Sequence, residues 1–170
     1  REFDGKAFYA AMRAGSEVKT SMVNAGTFIE RFKAALDAGK DVLYIGMSGG
    51  ISGTANAALM AKQELDEEYP DRKIVVIDTL AASLGEGLLV IKAAEQLKDG
   101  VALDAIEETI RAQVPSMCQS FTVDDLKYLK KTGRVSGAAA IIGNVLGIHP
   151  ILIGDYEGKI VVKAKVRGMK

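Results

Sequence analysis

Short apolar runs alternate along the chain with longer segments in which apolar residues recur at helical spacing. Residues 42–45 and 74–77 are short and continuously apolar, which is typical of parallel strands buried on both faces. Phe28 and Phe32 are four residues apart, as on one face of a helix. Strands that alternate with helices of roughly ten to fifteen residues predict βαβ units around a parallel sheet.

The same patterns place the individual elements and suggest a domain boundary. The predicted helices cover residues 8–15, 28–39, 52–69, 85–97, 103–114, 124–131 and 138–146. The predicted strands cover residues 41–47, 73–78, 118–123, 150–153 and 159–165, of which the last two form a hairpin. From about residue 115 the alternation gives way to two helices and this hairpin. We therefore predict an α/β domain over 1–114 and the start of a second α/β domain over 115–170.

Composition and charge narrow the classes of function. The chain has 170 residues, of which 48% are hydrophobic, enough for a packed core. Its 22 basic and 22 acidic side chains balance, so we expect neither nucleic acid nor an anionic membrane as the main partner. No apolar run reaches the about 18 residues of a transmembrane segment. Cys118 is the single cysteine and His149 the single histidine, so we expect no internal disulfide, no zinc site and a cytoplasmic location.

Residues 44–54 carry the strongest chemical signal in the sequence. Four glycines and three hydroxyl residues lie here between an apolar strand and an alanine-rich helix. Free backbone N–H groups and the helix dipole favour an anion at such a position, and Ser and Thr add small donors. We therefore expect a carboxylate or a phosphate at this loop. The plainer interpretation is a tight turn in which Ser52 or Thr54 caps the helix.

Three known motifs can be compared with this loop. A P-loop needs a lysine, which the loop lacks, and its glycines do not have the spacing of a Rossmann fingerprint. Residues 46–50 do fit the G-x-S-x-G nucleophile elbow, with Asp78 and His149 following in the order of a serine hydrolase. The helix is predicted to begin four residues after Ser48, which is late for a sharp elbow. A hydrolase using Ser48 and a module for a phosphorylated metabolite remain alternatives.

Other polar residues stand near predicted element ends. Thr20 and Ser21 precede a helix, where they either cap it or converge with the glycine-rich loop at the carboxyl edge of the sheet. Asp78 and Thr79 end a strand, where they either orient a hydroxyl group of the site or cap the next segment of the chain. The basic segment 130–134 is typical of a helix C-terminus, and it is also suited to docking an acidic partner.

In this order, the segments of the chain resemble the DegV family of bacterial lipid-binding proteins. The resemblance spans nearly the whole chain and is far more specific than any one of its pieces. The matching pieces are Asp4-Gly5, Phe8-Tyr9, Thr20-Ser21, 48–54, 76–79, 126–135, 149–152 and 158–160.

This resemblance implies two α/β domains with one long-chain fatty acid buried between them and no other cofactor. It implies that Thr20 and Ser52 hydrogen-bond the carboxylate beside the backbone N–H of Gly53, with Ser21 and Thr54 supporting them. Such proteins resemble the acyl-carrying subunit of fatty acid kinase, a non-catalytic carrier that presents the acid to a partner kinase.

The resemblance also implies a docking residue and shows departures. Arg134 matches a basic region that would face the kinase. Met22-Val23 replaces the glutamine-proline that usually comes after Thr-Ser in the family. Family members have an additional N-terminal strand and a C-terminal segment with a histidine near the carboxylate, so we expect a chain truncated at both ends. His149 does not correspond to that histidine.

Overall fold

The computed structural model describes residues 3–123, 129, 132–135 and 148–167. The helices are α1 (Gly5–Arg13), α2 (Ala25–Leu36), α3 (Thr54–Glu68), α4 (Leu84–Lys98) and α5 (Leu103–Gln113), with a 3-10 turn over Val114–Ser116. The strands are β1 (Val42–Gly46), β2 (Ile74–Asp78), β3 (Ser120–Phe121), β4 (Ile148–Gly154) and β5 (Ile160–Arg167). The helices predicted for 124–131 and 138–146 lie almost wholly outside the described residues.

The first sheet has helices on both of its faces. Strands β1 and β2 pair in parallel over their whole length, and α3 connects them. Ile74 and Val76 of β2 pack against α2 and α3, whereas Val75 and Ile77 pack against α4 and α5. Successive side chains of a strand point to opposite faces, so a continuously apolar strand fits a sheet covered on both sides. The α/β class and the parallel βαβ unit are therefore confirmed.

The second sheet is antiparallel and has the order β3-β4-β5. The predicted hairpin is confirmed as β4 and β5, and both strands are longer than predicted. Only Ser120 and Phe121 of the strand predicted for 118–123 pair with β4. Leu152 and Ile160 form a small core, against which Ile51 of the β1–α3 loop packs. The hairpin therefore lies against the loop that connects β1 to α3.

Within the described ranges, no helix has both the length and the apolar character required to cross a bilayer.

Candidate functional site

Two loops meet at the carboxyl edge of the parallel sheet, one after β1 and one after β2. The Ser48 N–H donates to the Ala81 carbonyl at 2.8 Å. The Asp78 carboxylate accepts from the N–H of Gly49 on one oxygen and from the N–H of Leu80 on the other, both at 2.9 Å. Asp78 therefore ties the two loops together, and an additional anion would have to bind away from the Gly49 amide.

Thr79 supports the same junction from inside. Its hydroxyl group is buried and donates to the Gly46 carbonyl at 2.8 Å. It also accepts from the N–H of Ala81 at 3.2 Å. Asp78 and Thr79 were predicted either to orient a hydroxyl group of the site or to cap the next segment of the chain. The structure supports the second interpretation, because both side chains hydrogen-bond the backbone of the loop after β2.

Ser52 and Thr54 form a hydroxyl pair at the start of α3. Their side-chain oxygens are 2.8 Å apart, and the Thr54 N–H donates to Ser52 Oγ at 3.3 Å. The cap residue of α3 is Gly53, which has no side chain to satisfy the first amides of the helix. In the part of the chain that the structure describes, the Gly53 N–H makes no hydrogen bond. This helix start therefore combines two hydroxyl groups with a free amide donor.

The segment that contains Thr20 and Ser21 lies next to this helix start. The N–H of Val23 donates to Thr54 Oγ1 at 3.3 Å. A Cβ atom added at Gly53 would lie 2.8 Å from Met22 Sδ, so Met22 packs directly over Gly53. The structure thus brings Met22 and Val23 to the loop that holds Ser52, whereas the cap of α2 is Asn24. Thr20 and Ser21 are exposed, and their role in binding stays a prediction.

Ser48 has a structural role. Its side chain is 0% exposed, and its hydroxyl donates to the Gly158 carbonyl in the β4–β5 turn at 2.7 Å. The same oxygen accepts from the N–H of Gly50 at 3.1 Å. A nucleophile needs a base to take its proton, and a carbonyl oxygen is not one. Helix α3 begins only at Thr54, so the strand-to-helix turn is also too long for a nucleophile elbow.

We expect Ser48→Ala to lower the free energy of unfolding by about 1–3 kcal/mol, because it leaves the buried Gly158 carbonyl without a partner. Urea denaturation with linear extrapolation measures this change. Ser116→Ala, at an exposed hydroxyl, is the matched control and should change stability by at most about 0.5 kcal/mol. Equal effects of the two substitutions would contradict a structural role of the Ser48–Gly158 hydrogen bond.

A fluorophosphonate probe tests the hydrolase alternative, and we expect it not to label the wild-type protein. If the probe labels the wild-type protein and Ser48→Ala abolishes the labelling, the hydrolase alternative is restored.

The loop after β2 contains two residues in conformations that side chains rarely adopt. Leu80 has a φ of 50° and Ser83 a φ of 52°. Such conformations cost on the order of 1–3 kcal/mol each and persist where the surroundings hold them. Neither residue was singled out from the sequence, which gives no sign of a positive φ outside glycine.

An apolar cavity of about 380 Å³ adjoins the Ser52 loop. It opens between the loop after β1, the loop after β2, strand β3 and the hairpin. Its lining within the described ranges is formed by Ile51, Ala82, Ser83, Leu84, Gly85, Gln119, Ser120, Phe121, Gly154, Gly158 and Ile160. Because Ile51 directly precedes Ser52, the hydroxyl pair lies next to a wall of the cavity. A concave apolar site with a few polar groups at one side is the usual form of a small-molecule site.

Tyr44 adds a neutral hydroxyl group near the end of β1. Its ring stacks edge-on against Phe28 and lies over Gly46, where a Cβ atom would collide with it. Burial raises the pKa of Tyr44, and the negative charges of Glu86 and Asp78 raise it further. The phenol therefore stays protonated at neutral pH.

Arg134 and His149 lie in the second sheet region. Arg134 donates from Nε to the Ile51 carbonyl at 3.4 Å and from Nη1 to the Thr132 carbonyl at 3.0 Å, so its cation lies beside the Ser52 loop. His149 is in β4, and within the described residues its buried Nδ1 atom has no hydrogen-bond partner. Lys130 and Lys131, which also belong to the basic segment, lie outside the described residues. Among the described residues, no carboxylate orients His149 through Nδ1 as it would orient a catalytic base.

Comparison with known proteins places these features in a family. The sequence profile described as "Uncharacterised protein, DegV family" matches residues 1–170, which is the whole chain. This chain belongs to the DegV family. A DegV domain-containing protein of Clostridium perfringens is 43% identical over 169 residues, which are 99% of this chain and 58% of that protein. The chain thus spans somewhat more than half the length of such relatives.

Solved structures of DegV proteins share the fold. A DegV family protein from Thermus thermophilus, described by its fatty acid binding, has a TM-score of 0.80 at 32% identity, over 98% of this chain and 58% of its own. The fatty acid kinase (Fak) B3 protein of Streptococcus pneumoniae, loaded with linoleic acid, has a TM-score of 0.83 at 27% identity, over 96% of this chain and 57% of its own. The DegV fold predicted from the resemblance is therefore confirmed.

Proposed function

We propose that this DegV chain holds a long-chain fatty acid, with the carboxylate at the start of α3 and the acyl chain in the adjacent apolar cavity. The observation that carries the proposal is the position of the Ser52–Thr54 hydroxyl pair next to Ile51, which lines the cavity. Two proteins of similar fold, one described by its fatty acid binding and one loaded with linoleic acid, support a fatty acid as the ligand.

The hydrogen bonds at Thr54 explain how Ser52 can serve an anion. Thr54 Oγ1 accepts from the N–H of Val23, and its own proton can then be donated to Ser52 Oγ. Ser52 Oγ also accepts from the Thr54 N–H, so its own O–H is left to point outward. A bound carboxylate selects this arrangement of the two hydroxyl protons, because it can only accept.

The free amide of Gly53 and the hydroxyl of Thr20 complete the proposed carboxylate site, with Ser21 supporting the segment. A carboxylate moved out of water needs several donors, and hydrogen bonds to an ionised group are roughly twice as strong as neutral ones. The dipole of α3 favours negative charge at the same end. Asp78 does not compete for these donors, since it uses the amides of Gly49 and Leu80.

We further propose that the protein is a carrier and that a partner fatty acid kinase performs the chemistry in the cytoplasm. The hydroxyl group that best matched a catalytic motif, that of Ser48, is committed to the hairpin. Arg134 lies beside the Ser52 loop, where a cation suits the docking of an anionic or ATP-bearing partner. This position makes Arg134 the candidate docking residue for the kinase.

Thermal unfolding of the delipidated full-length protein tests the proposed ligand. A ligand that binds only the folded state raises the midpoint of unfolding with its concentration. We expect a long-chain acid to raise it and the methyl ester of the same acid to raise it much less, because the ester lacks the charge. A sugar phosphate that raises the midpoint while the acid does not would support the phosphorylated-metabolite alternative.

Arg134→Ala should lower the rate at which the partner kinase phosphorylates the bound acid by roughly tenfold or more, since a lost charged contact costs about 1.5–3 kcal/mol. Retention of the acid should remain close to the wild-type level. Arg31→Ala, at an exposed arginine of α2, is the matched control and should change neither quantity. A normal phosphorylation rate in Arg134→Ala would contradict the docking role.

A further inference from the structure

A second cavity of about 660 Å³ adjoins the first one. Of the residues that the structure describes, three line both cavities, namely Gln119, Ser120 and Gly154. Ser120 and Gly154 contribute from paired strands, β3 and β4, so their backbone positions are fixed by the sheet. Gln119 contributes the longest side chain of the shared wall.

The Gln119 amide is held in place by the loop after β2. With the amide oriented so that both of its polar atoms have partners, Nε2 donates to the Ala82 carbonyl at 3.0 Å and Oε1 accepts from the Ala82 N–H at 3.3 Å. The side chain therefore pairs with one residue of the loop after β2 as a neighbouring strand would. A Cβ atom at Gly85 would collide with this amide, so the close approach depends on glycine there.

This amide pair also explains why the loop after β2 keeps its shape. Leu80 and Ser83, with their positive φ values, flank Ala82 within the same loop. Rare backbone conformations persist where tertiary contacts over-determine them, and the two hydrogen bonds between Gln119 and Ala82 are such contacts. The wall between the cavities is thus a fixed partition.

We propose that Gln119 limits the length of the acyl chain that the cavity accepts. The inference rests on the proposed function and adds a residue that determines specificity. The first cavity, at about 380 Å³, is near the lower limit of the ~300–1,000 Å³ that small-molecule sites occupy. Beyond the partition, the second cavity offers further apolar surface from Leu80, Val114, Met117 and Ile153. Shortening the Gln119 side chain would therefore let a longer acyl chain continue into the second cavity.

Competition between acids of different length tests this proposal in the full-length protein. Delipidated wild-type protein is incubated with an equimolar series of straight-chain saturated acids, and the retained acids are quantified by mass spectrometry. Gln119→Ala should shift the retained acids to longer chains, by roughly fourfold for each additional methylene buried, which corresponds to about 0.8 kcal/mol. Gln119→Met keeps the length of the side chain without its amide and should keep the wild-type distribution. Gln119→Thr also shortens the side chain, and threonine is favoured in an extended backbone. This variant therefore replaces the alanine variant if the latter does not fold.

The outcomes separate this inference from the proposed function. A shift to longer chains in the alanine or threonine variant, with none in the methionine variant, supports the partition. If the wild-type protein binds acids and a folded alanine or threonine variant retains the same distribution of chain lengths, the proposed role of Gln119 is overturned. If the wild-type protein retains no acid of any length, the proposed function itself fails and this inference fails with it.

Discussion

Replacing Thr20 and Ser52 together with alanine should weaken binding of a long-chain acid by on the order of a hundredfold to ten-thousandfold. Each substitution removes a hydroxyl donor to a carboxylate, and a hydrogen bond to a charged group contributes about 1.5–3 kcal/mol. Ser52→Ala alone should have the larger single effect. It removes the donor at the start of α3 and leaves Thr54 without its hydroxyl partner. Calorimetric titration of delipidated protein measures the dissociation constants.

The control for this experiment is a double substitution at hydroxyl groups outside the site. Ser16 and Thr122 are both exposed, and Ser16→Ala with Thr122→Ala should leave the dissociation constant within about twofold, since exposed substitutions change little. Binding of the Thr20 and Ser52 double variant at the wild-type level would place the carboxylate elsewhere.

Gly50→Ala should separate the hairpin from the loop after β1. A Cβ atom at Gly50 would lie 2.5 Å from the Glu157 carbonyl oxygen and 2.6 Å from the Gly158 carbonyl carbon. Both are backbone atoms, so the side chains cannot relieve the overlap by rotating. Overpacking of this kind costs typically about 1–3 kcal/mol. We therefore expect the free energy of unfolding to fall by about that amount and acid binding to weaken with it, because Gly158 lines the cavity.

Gly87→Ala is the matched control for this substitution. Gly87 lies inside α4, and a Cβ atom there meets nothing within 4 Å. Alanine is favoured over glycine inside a helix by about 0.8–1.0 kcal/mol, so this variant should be more stable than the wild type. If both variants are stabilised, the hairpin does not dock against Gly50.

Much of the fold could be predicted because its signals are local. The apolar runs at β1 and β2 have the length and continuity of strands covered on both faces, and α2 carries its buried phenylalanines four residues apart. The hairpin is predicted by two apolar runs around a turn that contains two glycines and Asp155. In the structure, the Asp155 carboxylate accepts from two backbone N–H groups of that turn, which is the local chemistry such residues favour.

The role of Ser48 could not be predicted, because the residue that decides it is distant in sequence. Its glycine-rich surroundings have the spacing of a nucleophile elbow and also that of a loop that admits a hairpin. Its hydroxyl bonds to Gly158, which lies 110 residues further along the chain. Local spacing cannot distinguish these two structures, whereas the tertiary contact does.

Gln119 was also missed, for a related reason. It stands in no motif, and a glutamine beside a short strand has no local reason to face the cavity. Its importance comes from Ala82 and Gly85, which belong to a loop and a helix on the other side of the cavity. By contrast, the glycine-rich loop before α3 predicts an anion from local sequence, and the resemblance to the DegV family narrows this prediction to Ser52, Gly53 and Thr54.

Mass spectrometry of the denatured full-length protein, purified without added lipid, tests the central claim most directly. The account predicts a long-chain fatty acid at close to one molecule per protein in the wild type, and a large loss of it in the Thr20 and Ser52 double variant. A folded wild-type protein that carries no acyl chain, and takes none up when a long-chain acid is supplied, would contradict the account.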